Sequence, residues 1–421
     1  MFEYLAGCLQ KGCKLDKEFR NDFAVFTVAN LAYLPKAFVL AESLLRFDKV
    51  KLNIYIIDRK IKVDLPESLA NFIWIEDVGF ADLYDLAFKY DITEFSTSLK
   101  PSLTLKLLEQ FQKIIFLDPD TCLYQSVAPI LKDLDEHDIV LTPHYTIPHS
   151  QTLSDSDLGM MRFGSFNLGF FAVKNSEQGG YFLNWWDDRC RRFCYFETQF
   201  GLSTDQKWVS IAPCFFQDLY VSFNLGYNVA FWNLQERQIG KDSNDHYVVN
   251  GRHPLIFFHF SSFDEEKPEL LSKRLFSRDE CINKYIIELS VKYNKELKRH
   301  KKSISVVRYG FDYMVNGDYI SPTLRRAYAC VVAELPAGHD PFDSSGPVGI
   351  FAKRNYLLAK SDHKYTPAGF GDLDSHSNIF KIINFVMRII LRILGPNRFS
   401  NFSRLLVYLS SYRQNRGLWK I

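Results

Sequence analysis

KIIFLDPDTCLY, residues 113–124, joins an apolar run directly to two carboxylates. Residues 114–117 carry no charge, which predicts a buried strand. Asp118 and Asp120 follow this strand at once, with Pro119 between them. In open α/β sheets ligands bind in the crevice outside the C-terminal ends of the strands. The position of these two acidic residues therefore indicates a binding site.

The spacing of the two carboxylates restricts what they can do. Pro119 fixes its own φ and favours extended geometry at Asp118, so the backbone is stiff here. Residues i and i+2 of an extended chain project to the same side, so Asp118 and Asp120 can face one object. Two like charges this close need a cation between them or a raised pKa on one of them. We expect a hard divalent cation that carries a diphosphate; the alternative is a solvated Asp-Pro-Asp turn.

Strands and helices alternate on the N-terminal side of this segment. Residues 23–28, FAVFTV, predict a first buried strand, and the apolar pattern after Pro35 predicts a helix. Residues 52–57 predict a second strand, and residues 101–112 a helix that runs into the strand described above. This alternation predicts an α/β fold with a doubly wound, mostly parallel sheet flanked by helices. No glycine-rich phosphate-binding motif follows the first strand, so we expect a metal and side chains to bind any phosphate.

Charge is distributed unevenly along the chain. The net charge of the 421 residues is +2, and the brief basic clusters come with no nucleic-acid recognition motif, so we expect no nucleic-acid partner. No acidic residue follows Asp374, whereas eight basic residues do: Lys381, Arg388, Arg392, Arg398, Arg404, Arg413, Arg416 and Lys420. The C-terminal part is therefore a different kind of segment from the rest.

Residues 378–395, NIFKIINFVMRIILRILG, predict an amphipathic helix. Its polar residues Lys381, Asn384, Arg388 and Arg392 form one narrow stripe, and the remaining surface is apolar. We expect this helix to lie in the plane of an anionic membrane surface. A dimerisation helix and a helix packed on the protein core are the alternatives.

The location of the protein is predicted from patterns that the sequence lacks. No run of about 18 apolar residues indicates a transmembrane helix, and the N-terminus has no basic segment followed by an apolar one, as a signal peptide would. The eight cysteines show no framework spacing, which is typical of free thiols in a reducing compartment. We expect a cytoplasmic protein, peripheral on the cytoplasmic face of a membrane.

Four further polar or small residues stand where chemistry is possible. Asn167 and Gly169 come at the start of an apolar strand, where glycine allows either close backbone approach or a bulge. Asp205 is placed either to cap a helix or to act as a catalytic carboxylate. His259 lies on the apolar strand LIFFHF and is either a core histidine or a metal ligand, since imidazole binds Mn²⁺-like ions.

Five segments in a fixed order resemble nucleotide-sugar glycosyltransferases of the GT-A fold. They are FTVANLAYLPKAFVLAESL (26–44), KIIFLDPDTCLY (113–124), FNLGFFAVK (166–174), STDQKW (203–208) and LIFFHFSSF (255–263). The pattern is similar to family 8-like enzymes and to bacterial transferases that build lipopolysaccharide or surface polysaccharide. It covers residues 23–265. The resemblance implies a GT-A-like sheet with a C-terminal helical extension.

The resemblance also implies roles for individual residues. The metal ligands that it implies are Asp118, Asp120 and His259. The donor-binding residues that it implies are Thr27 and Asn30 by the nucleotide, Lys100 by its ribose or phosphates, Asp118, and Asn167 and Gly169 by the donor sugar. Asp205 and Gln206 match the catalytic pair at the reaction centre. The family's usual Gly-x-x-Lys-Pro-Trp after the histidine is absent, and Ser261-Ser262-Phe263 stands there instead.

The expected activity is metal-dependent transfer of a hexose, with Mn²⁺ or Mg²⁺ as cofactor. The donor is expected to be a UDP-linked sugar, and the acceptor a glycan or a lipid-linked molecule of bacterial cell-surface polysaccharide synthesis. Residues 1–265 would form the catalytic domain and 266–360 its extension, with a linker at 361–377 and a membrane-associated tail at 378–421.

Two alternatives belong to other functional classes. IIFLDPDTC is close to the haloacid-dehalogenase-like phosphatase signature, in which Asp118 would be the nucleophile and Asp120 the acid and base, although Cys122 stands where Thr or Val belongs. The second alternative is an inactive glycan-binding scaffold that keeps the fold.

Overall fold

The computed structural model describes residues 21–148, 156–274, 281–302, 308–359, 378–409 and 416–419. The chain divides into two compact units. Unit 1 comprises Met1–Asp77 and Ser96–Val307, and unit 2 comprises Val78–Phe95 and Arg308–Ile421. The predicted linker at 361–377 lies outside the described residues, and the domain limits predicted from the sequence stay predictions.

Short strands and helices alternate along the chain. The strands are β1 (Asn21–Ala29), β2 (Leu52–Ile56), β3 (Ala70–Trp74), β4 (Phe111–Leu117), β5 (Thr121–Leu123), β6 (Ile139–Pro143), β7 (Phe166–Lys174), β8 (Phe196–Glu197), β9 (Leu202–Ser203), β10 (Leu219–Val221), β11 (Ile239–Lys241), β12 (Tyr247–Val249), β13 (His253–Pro254) and β14 (Phe257–His259). The α-helices are α1 (Leu34–Asp48), α2 (Leu83–Lys89), α3 (Ile92–Ser98), α4 (Lys100–Leu108), α5 (Ala128–Glu136), α6 (Ser156–Phe163), α7 (Glu177–Phe193), α8 (Gln206–Val209), α9 (Lys284–Lys301), α10 (Pro322–Val331), α11 (Pro347–Arg354) and α12 (Asn378–Leu409).

Seven strands of unit 1 form the central sheet, in the order β10-β6-β7-β4-β1-β2-β3. Strands β3, β2, β1 and β4 are parallel to one another. Strand β7 is antiparallel to both of its neighbours, β4 and β6, and β10 is parallel to β6. The prediction of an α/β fold with a mostly parallel sheet is therefore confirmed.

Strand β4 lies at the centre of this sheet, between β1 and β7. The four side chains of residues 114–117 have no exposed surface. Phe116 stacks on Phe171 of β7, whereas Ile115 and Leu117 join the core cluster that includes Phe38 of α1. Burying each such side chain stabilises the fold by about 1.5–3 kcal/mol, so the end of β4 is firmly fixed.

The prediction for the approach to β4 needs one correction. The helix predicted at residues 101–112 ends at Leu108, and the strand begins earlier than expected, at Phe111. The reason is pairing with the first strand, because Phe111 and Lys113 lie opposite Asn21 and Phe23 of β1. Backbone hydrogen bonds to a neighbouring strand outweigh the weak local preference of these residues.

The segment after β4 is a turn with a fixed backbone at each end. The N–H of Asp118 donates to the carbonyl of Gly169 at 2.8 Å, and the N–H of Thr121 donates back to the carbonyl of Asp118 at 3.1 Å. Strand β5 then pairs antiparallel with β14, where Thr121 lies opposite His259. The N–H of Phe260 donates to the carbonyl of Asp120 at 2.8 Å. Both carboxylates are thus carried by backbone that cannot shift freely.

The C-terminal part of unit 2 contains the predicted amphipathic helix as α12. Its backbone is not helical at Gly395, where φ is 71°, and Pro396 follows, so the helix is kinked there. Ile382, Phe385 and Ile393 are exposed. Across the part of the chain that the structure describes, no helix is long and apolar enough to cross a bilayer.

Candidate metal centre

Asp118, Asp120 and His259 form one cluster at the C-terminal edge of the sheet. The turn after β4 supplies the two carboxylates, and the last residue of β14 supplies the imidazole. Their potential ligand atoms all lie within 4.8 Å of one another. His259 Nε2 is 3.1 Å from Asp120 Oδ1 and 3.8 Å from Asp118 Oδ2. His259 and Asp120 are buried, whereas the Asp118 side chain is 29% exposed, so the cluster opens to solvent on the Asp118 side.

The chemistry of these three side chains fits a divalent cation. Two carboxylate oxygens and one imidazole nitrogen suit Mn²⁺, and the oxygens also suit Mg²⁺. Burial opposes ionisation of Asp120, but the neighbouring His259 and Lys36 outweigh it and lower the pKa of this carboxyl to about 2. The Asp120 carboxyl is therefore ionised near neutral pH, as a metal ligand would have to be. The alternative of an Asp-Pro-Asp turn is correct for the backbone, but the two carboxylates face His259 as well as solvent.

Lys100 and Asp205 form a buried pair beside the cluster. Lys100 Nζ donates to the carbonyl of Leu168 at 2.8 Å, and it lies 3.3 Å from Asp205 Oδ2 and 3.6 Å from Asp118 Oδ1. Burial would lower the pKa of Lys100, but Asp118 and Asp205 together raise it. Burial and the charge of Asp118 raise the pKa of Asp205, although Lys100 opposes them. Asp205 precedes α8, but its side chain makes no capping hydrogen bond and turns to Lys100 instead.

Asn167 and Gly169, at the start of β7, lie directly against His259. The N–H of Gly169 donates to Asn167 Oδ1 at 3.0 Å. A Cβ atom at residue 169 would lie 2.4 Å from His259 Cε1 and 2.8 Å from Asn167 Oδ1, closer than real Cβ atoms come. Only glycine therefore leaves room for the imidazole here. Of the two interpretations of Gly169, close approach of another group describes this position.

Three predicted site residues make no hydrogen bond or ion pair with the cluster in the described part of the chain. Thr27 is fully buried in β1, and its hydroxyl has no hydrogen-bond partner in the described part of the chain. Asn30 Oδ1 accepts from the N–H of Tyr33 at 3.1 Å and so caps the turn that begins α1. Gln206 Nε2 donates to the carbonyl of Phe163 at 3.0 Å. The donor-binding and catalytic roles of these residues stay predictions.

Lys36 contacts the cluster although sequence reasoning missed it. Its Nζ lies 3.6 Å from Asp120 Oδ2 and 4.4 Å from the centre of the Tyr33 ring, and its side chain is 14% exposed. Lys36 stands in the first turn of α1, directly after the strand that neighbours β4. Because parallel strands end at the same edge of a sheet, this position next to Pro35 was a signal that could have been used.

Asn228 was also missed, and no sequence signal points to it. It lies in irregular chain between β10 and β11, with φ of 51°, a conformation that asparagine tolerates better than most residues. Its Oδ1 is 3.2 Å from His259 Nδ1, so it contacts the imidazole on the side away from the carboxylates. Ligating histidines usually have such a partner.

Comparisons with known proteins give distant relatives. No protein-family model matches the chain. Two uncharacterised proteins of Bacillus subtilis are each 24% identical to it: YfnD over 252 residues, which is 58% of this chain and 78% of that protein, and YfnF over 177 residues, 41% and 58%.

Among solved structures, the chain is similar to the galactosyltransferase LgtC in complex with donor and acceptor sugar analogues. The TM-score is 0.41 at 14% identity, covering 68% of this chain and 97% of LgtC. It is also similar to the glycosyltransferase GlyE of Streptococcus pneumoniae, with a TM-score of 0.38 at 17% identity, covering 68% of this chain and 65% of GlyE. Because these identities and TM-scores are low, we infer function from the geometry of the site itself.

His144, which follows β6, is a partly buried histidine near the cluster. Its Nδ1 is 3.3 Å from the carbonyl oxygen of Ser165, and its Nε2 is 3.4 Å from Asn167 Nδ2. Burial lowers the pKa of His144 to about 4, although hydrogen bonds with the backbone of Ser165 and Gly164 oppose this shift. His144 is therefore neutral in the folded protein near pH 7.

We predict that this histidine makes stability pH-dependent. Below about pH 6.5 the unfolded chain protonates His144 and the folded protein does not, so the free energy of unfolding falls as the pH drops towards about 4. Between pH 7.5 and pH 5 the loss should be about 1–2 kcal/mol, allowing for partial exposure. Urea unfolding of His144→Gln should show a flatter pH dependence than wild type, whereas His246→Gln, at an exposed position, should not. Parallel curves for wild type and His144→Gln would contradict the assignment.

Proposed function

We propose that this protein is a metal-dependent glycosyltransferase that moves a hexose from a nucleoside-diphosphate sugar, expected to be UDP-linked, to a glycan or lipid-linked acceptor. The observation that carries the proposal is the cluster of Asp118, Asp120 and His259, flanked by Lys36 and Lys100 at the C-terminal edge of a mostly parallel sheet. The resemblance of the five sequence segments supports the same reaction. Synthesis of bacterial cell-surface polysaccharide or lipopolysaccharide is the setting that this resemblance favours.

Charge balance supports an anionic ligand. Asp118, Asp120 and Asp205 contribute three negative charges, and Lys36 and Lys100 contribute two positive ones. With His259 neutral, a divalent cation changes the net charge of this group from −1 to +1. In a partly buried site an excess positive charge is costly unless an anion pairs with it. A diphosphate supplies such an anion, and neither free glycan nor an uncharged sugar does.

Asp118, Asp120 and His259 would hold Mn²⁺ or Mg²⁺, which when bound neutralises negative charge on the nucleoside diphosphate as it departs. Lys36 stands beside Asp120 with part of its side chain in solvent, so it can turn from that carboxylate to a phosphate. The Gly-x-x-Lys-Pro-Trp motif is absent after His259, and Lys36 provides a cation beside Asp120. Lys100 is tied to Leu168 and Asp205, and so it stays fixed while a donor binds.

Asp205 is the carboxylate that we assign to the reaction centre. In the transfer, an acceptor hydroxyl oxygen forms a bond to the anomeric carbon, and the bond from that carbon to the diphosphate oxygen breaks. If configuration inverts, a carboxylate such as Asp205 takes the proton of the hydroxyl. If configuration is retained, the same carboxylate stabilises the positive charge that develops on the sugar, and the proton of the hydroxyl passes to the departing diphosphate oxygen. Lys100 holds Asp205 in place for either role.

Helix α12 supports work at a membrane surface. Its exposed apolar residues, Ile382, Phe385 and Ile393 among them, accompany basic residues and no acidic ones. An in-plane helix with these features binds anionic lipid. Such binding is consistent with a lipid-linked acceptor at the cytoplasmic face of a membrane.

The central test is release of nucleoside diphosphate from a panel of nucleotide sugars in the presence of Mn²⁺ or Mg²⁺. We expect turnover with at least one UDP-sugar and none after chelation of the metal. Asp120→Asn should weaken Mn²⁺ binding by more than the ~10–100-fold typical of residues that only support a ligand, whereas exposed Asp245→Asn should leave it unchanged. Phosphatase activity without nucleotide-sugar turnover would identify the dehalogenase-like alternative. Glycan binding without any turnover would identify the scaffold.

A second prediction concerns Lys36. Lys36→Met should raise the donor KM about 10-fold or more, because a charge-assisted contact to phosphate is lost. Mn²⁺ affinity without donor should stay the same or increase, because a cation next to Asp120 is removed. Isothermal titration with Mn²⁺ and initial-rate kinetics measure the two effects separately. Lys60→Met, at an exposed position, is the control; a parallel loss of metal and donor binding would contradict this role for Lys36.

A third prediction concerns helix α12. The protein should co-sediment with vesicles that contain anionic phosphatidylglycerol and not with pure phosphatidylcholine vesicles. Replacement of Lys381, Arg388 and Arg392 by Gln should weaken this binding on the order of 100-fold, at about 1 kcal/mol for each charge. Nucleotide-sugar turnover with a soluble acceptor is the control and should persist. Unchanged vesicle binding in the triple variant would count against an electrostatic role of this helix.

A further inference from the structure

A chain of hydrogen bonds runs from the backbone to the imidazole of His259. It passes through three side chains from three different parts of unit 1: His144 after β6, Asn167 in β7 and Asn228 in the irregular segment before β11. None of these three side chains is among the charged groups of the cluster. The donor and the acceptor of each hydrogen bond can be assigned. The reason is that the series begins at a backbone carbonyl, which can only accept, and includes a backbone N–H, which can only donate.

The first link is at His144. The carbonyl of Ser165 can only accept, so His144 Nδ1, 3.3 Å away, carries the proton. The lowered pKa of His144 keeps the ring neutral, and Nε2 is then an acceptor. Its partner in the described part of the chain is Asn167 Nδ2, which lies 3.4 Å away and donates to it. This fixes which end of the Asn167 amide is nitrogen.

The second link fixes the orientation of the Asn167 amide independently. The N–H of Gly169 can only donate, and it lies 3.0 Å from Asn167 Oδ1. The same oxygen accepts from Asn228 Nδ2 at 3.0 Å. Asn228 Nδ2 also donates to the hydroxyl of Thr142 at 3.2 Å, so both of its protons have acceptors. If the Asn228 amide were turned over, its oxygen would lie against two oxygens of Asn167, the carbonyl oxygen at 3.3 Å and Oδ1 at 3.0 Å.

The third link reaches the metal centre. With its nitrogen committed, Asn228 presents Oδ1 to His259 Nδ1 at 3.2 Å, and an amide oxygen can only accept. His259 Nδ1 must therefore carry a proton, so Nε2, which faces Asp118 and Asp120, is the nitrogen left to bind a cation. A histidine binds a metal through a nitrogen without a proton, and the hydrogen bond of the other nitrogen decides which one that is.

Packing leaves the imidazole little freedom to rotate out of this arrangement. The space beside His259 Nδ1 is closed by the backbone of Gly169, where an added Cβ would lie 2.7 Å from that nitrogen. The indole of Trp232 packs edge-to-face on His259 with ring centres 5.3 Å apart, and on His144 with ring centres 5.8 Å apart. The N–H of His259 donates to the carbonyl of Val229 at 2.8 Å, which holds the residue next to Asn228.

We propose that His144, Asn167 and Asn228 are positioning residues that set the tautomer of His259 and so direct its Nε2 to a divalent cation. The inference deepens the proposed function, on whose metal centre it rests. It assigns to Asn167 a supporting role for the metal ligand. It also explains why a neutral histidine, His144, lies next to a charged site: a protonated ring would donate from both nitrogens, and its Nε2 would then face the amide nitrogen of Asn167, which is also a donor.

The decisive comparison is between two substitutions of Asn228 that both tolerate its positive φ. Asn228→Asp keeps an oxygen acceptor for His259 Nδ1, and Asn228→Gly removes it. We expect Asn228→Asp to bind Mn²⁺ within about 3-fold of wild type, and Asn228→Gly to bind it ~10–100-fold more weakly. A merely structural role predicts the opposite order, because a new buried carboxylate next to Asn167 Oδ1 destabilises the fold more than a small cavity. Mn²⁺ affinity equal to wild type in Asn228→Gly would overturn the proposal.

A spectroscopic readout tests the tautomer without metal or activity. In ¹⁵N-histidine-labelled protein at pH 8, the His259 signals, identified by their loss in His259→Asn, should show that Nδ1 carries a proton. In Asn228→Gly the proton should move to Nε2 or be shared between the two nitrogens. His144→Phe keeps a ring against Trp232 and should shift the tautomer ratio and weaken Mn²⁺ binding by about 3–10-fold, although residue 144 does not touch His259.

The outcomes separate this inference from the proposed function. If wild-type protein neither binds Mn²⁺ nor releases nucleoside diphosphate, the proposed function fails, and the nitrogen signals of His259 still test the relay. If Mn²⁺ binds and turnover occurs but Nδ1 of His259 carries no proton in wild type, the relay is wrong and the function stands. An unchanged tautomer ratio in His144→Phe would remove His144 from the relay.

Discussion

Two carboxylates on one rigid turn repel each other, and neighbouring side chains of opposite charge offset this repulsion. Asp118 and Asp120 are fixed by backbone hydrogen bonds to Gly169 and Phe260, so they cannot separate to relieve their repulsion. Each has instead acquired a partner of opposite charge: Lys36 beside Asp120 and Lys100 beside Asp118, with His259 between them. These partners come from α1, α4 and β14, so several elements of unit 1 must pack correctly for the repulsion between the carboxylates to be offset.

Stability alone does not explain such an arrangement. Burying an ion costs several kcal/mol even after relaxation, and an ion pair in the interior recovers this only with good geometry. Lys100 and Asp205 are both buried, and apolar residues of similar size would be at least as stabilising there. What apolar residues cannot provide is a pair of fixed opposite charges next to a cation site. Charges already oriented before the ligand arrives do not have to reorganise during the reaction, which is how such sites stabilise developing charge.

The parts of this site that the sequence predicts are those carried by regular structure. An uncharged run that ends in Asp-Pro-Asp predicts the central strand. The same residues predict the crevice, because the crevice lies where that strand ends. Lys36 was predictable on the same grounds, as it starts the helix after the neighbouring strand. Asn228 was not, because its place beside His259 depends on backbone pairing between Val229 and Phe258 in irregular chain. The joining of Val78–Phe95 with Arg308–Ile421 in unit 2 likewise depends on contacts between distant segments, which no local pattern reports.

The antiparallel direction of β7 has a consequence for the metal centre. Strand β7 lies beside β4 with Phe170 opposite Leu117, so the start of β7 lies at the edge where β4 ends. Asn167 and Gly169 therefore reach the cluster from the beginning of a strand, whereas a parallel strand could offer only its last residues there. The rest of β7 continues into the core, with Phe170–Val173 buried, which anchors the polar start of the strand. The antiparallel strand β7 thus supplies both Asn167, whose amide helps to set the tautomer of His259, and Gly169, whose lack of a side chain leaves room for the imidazole.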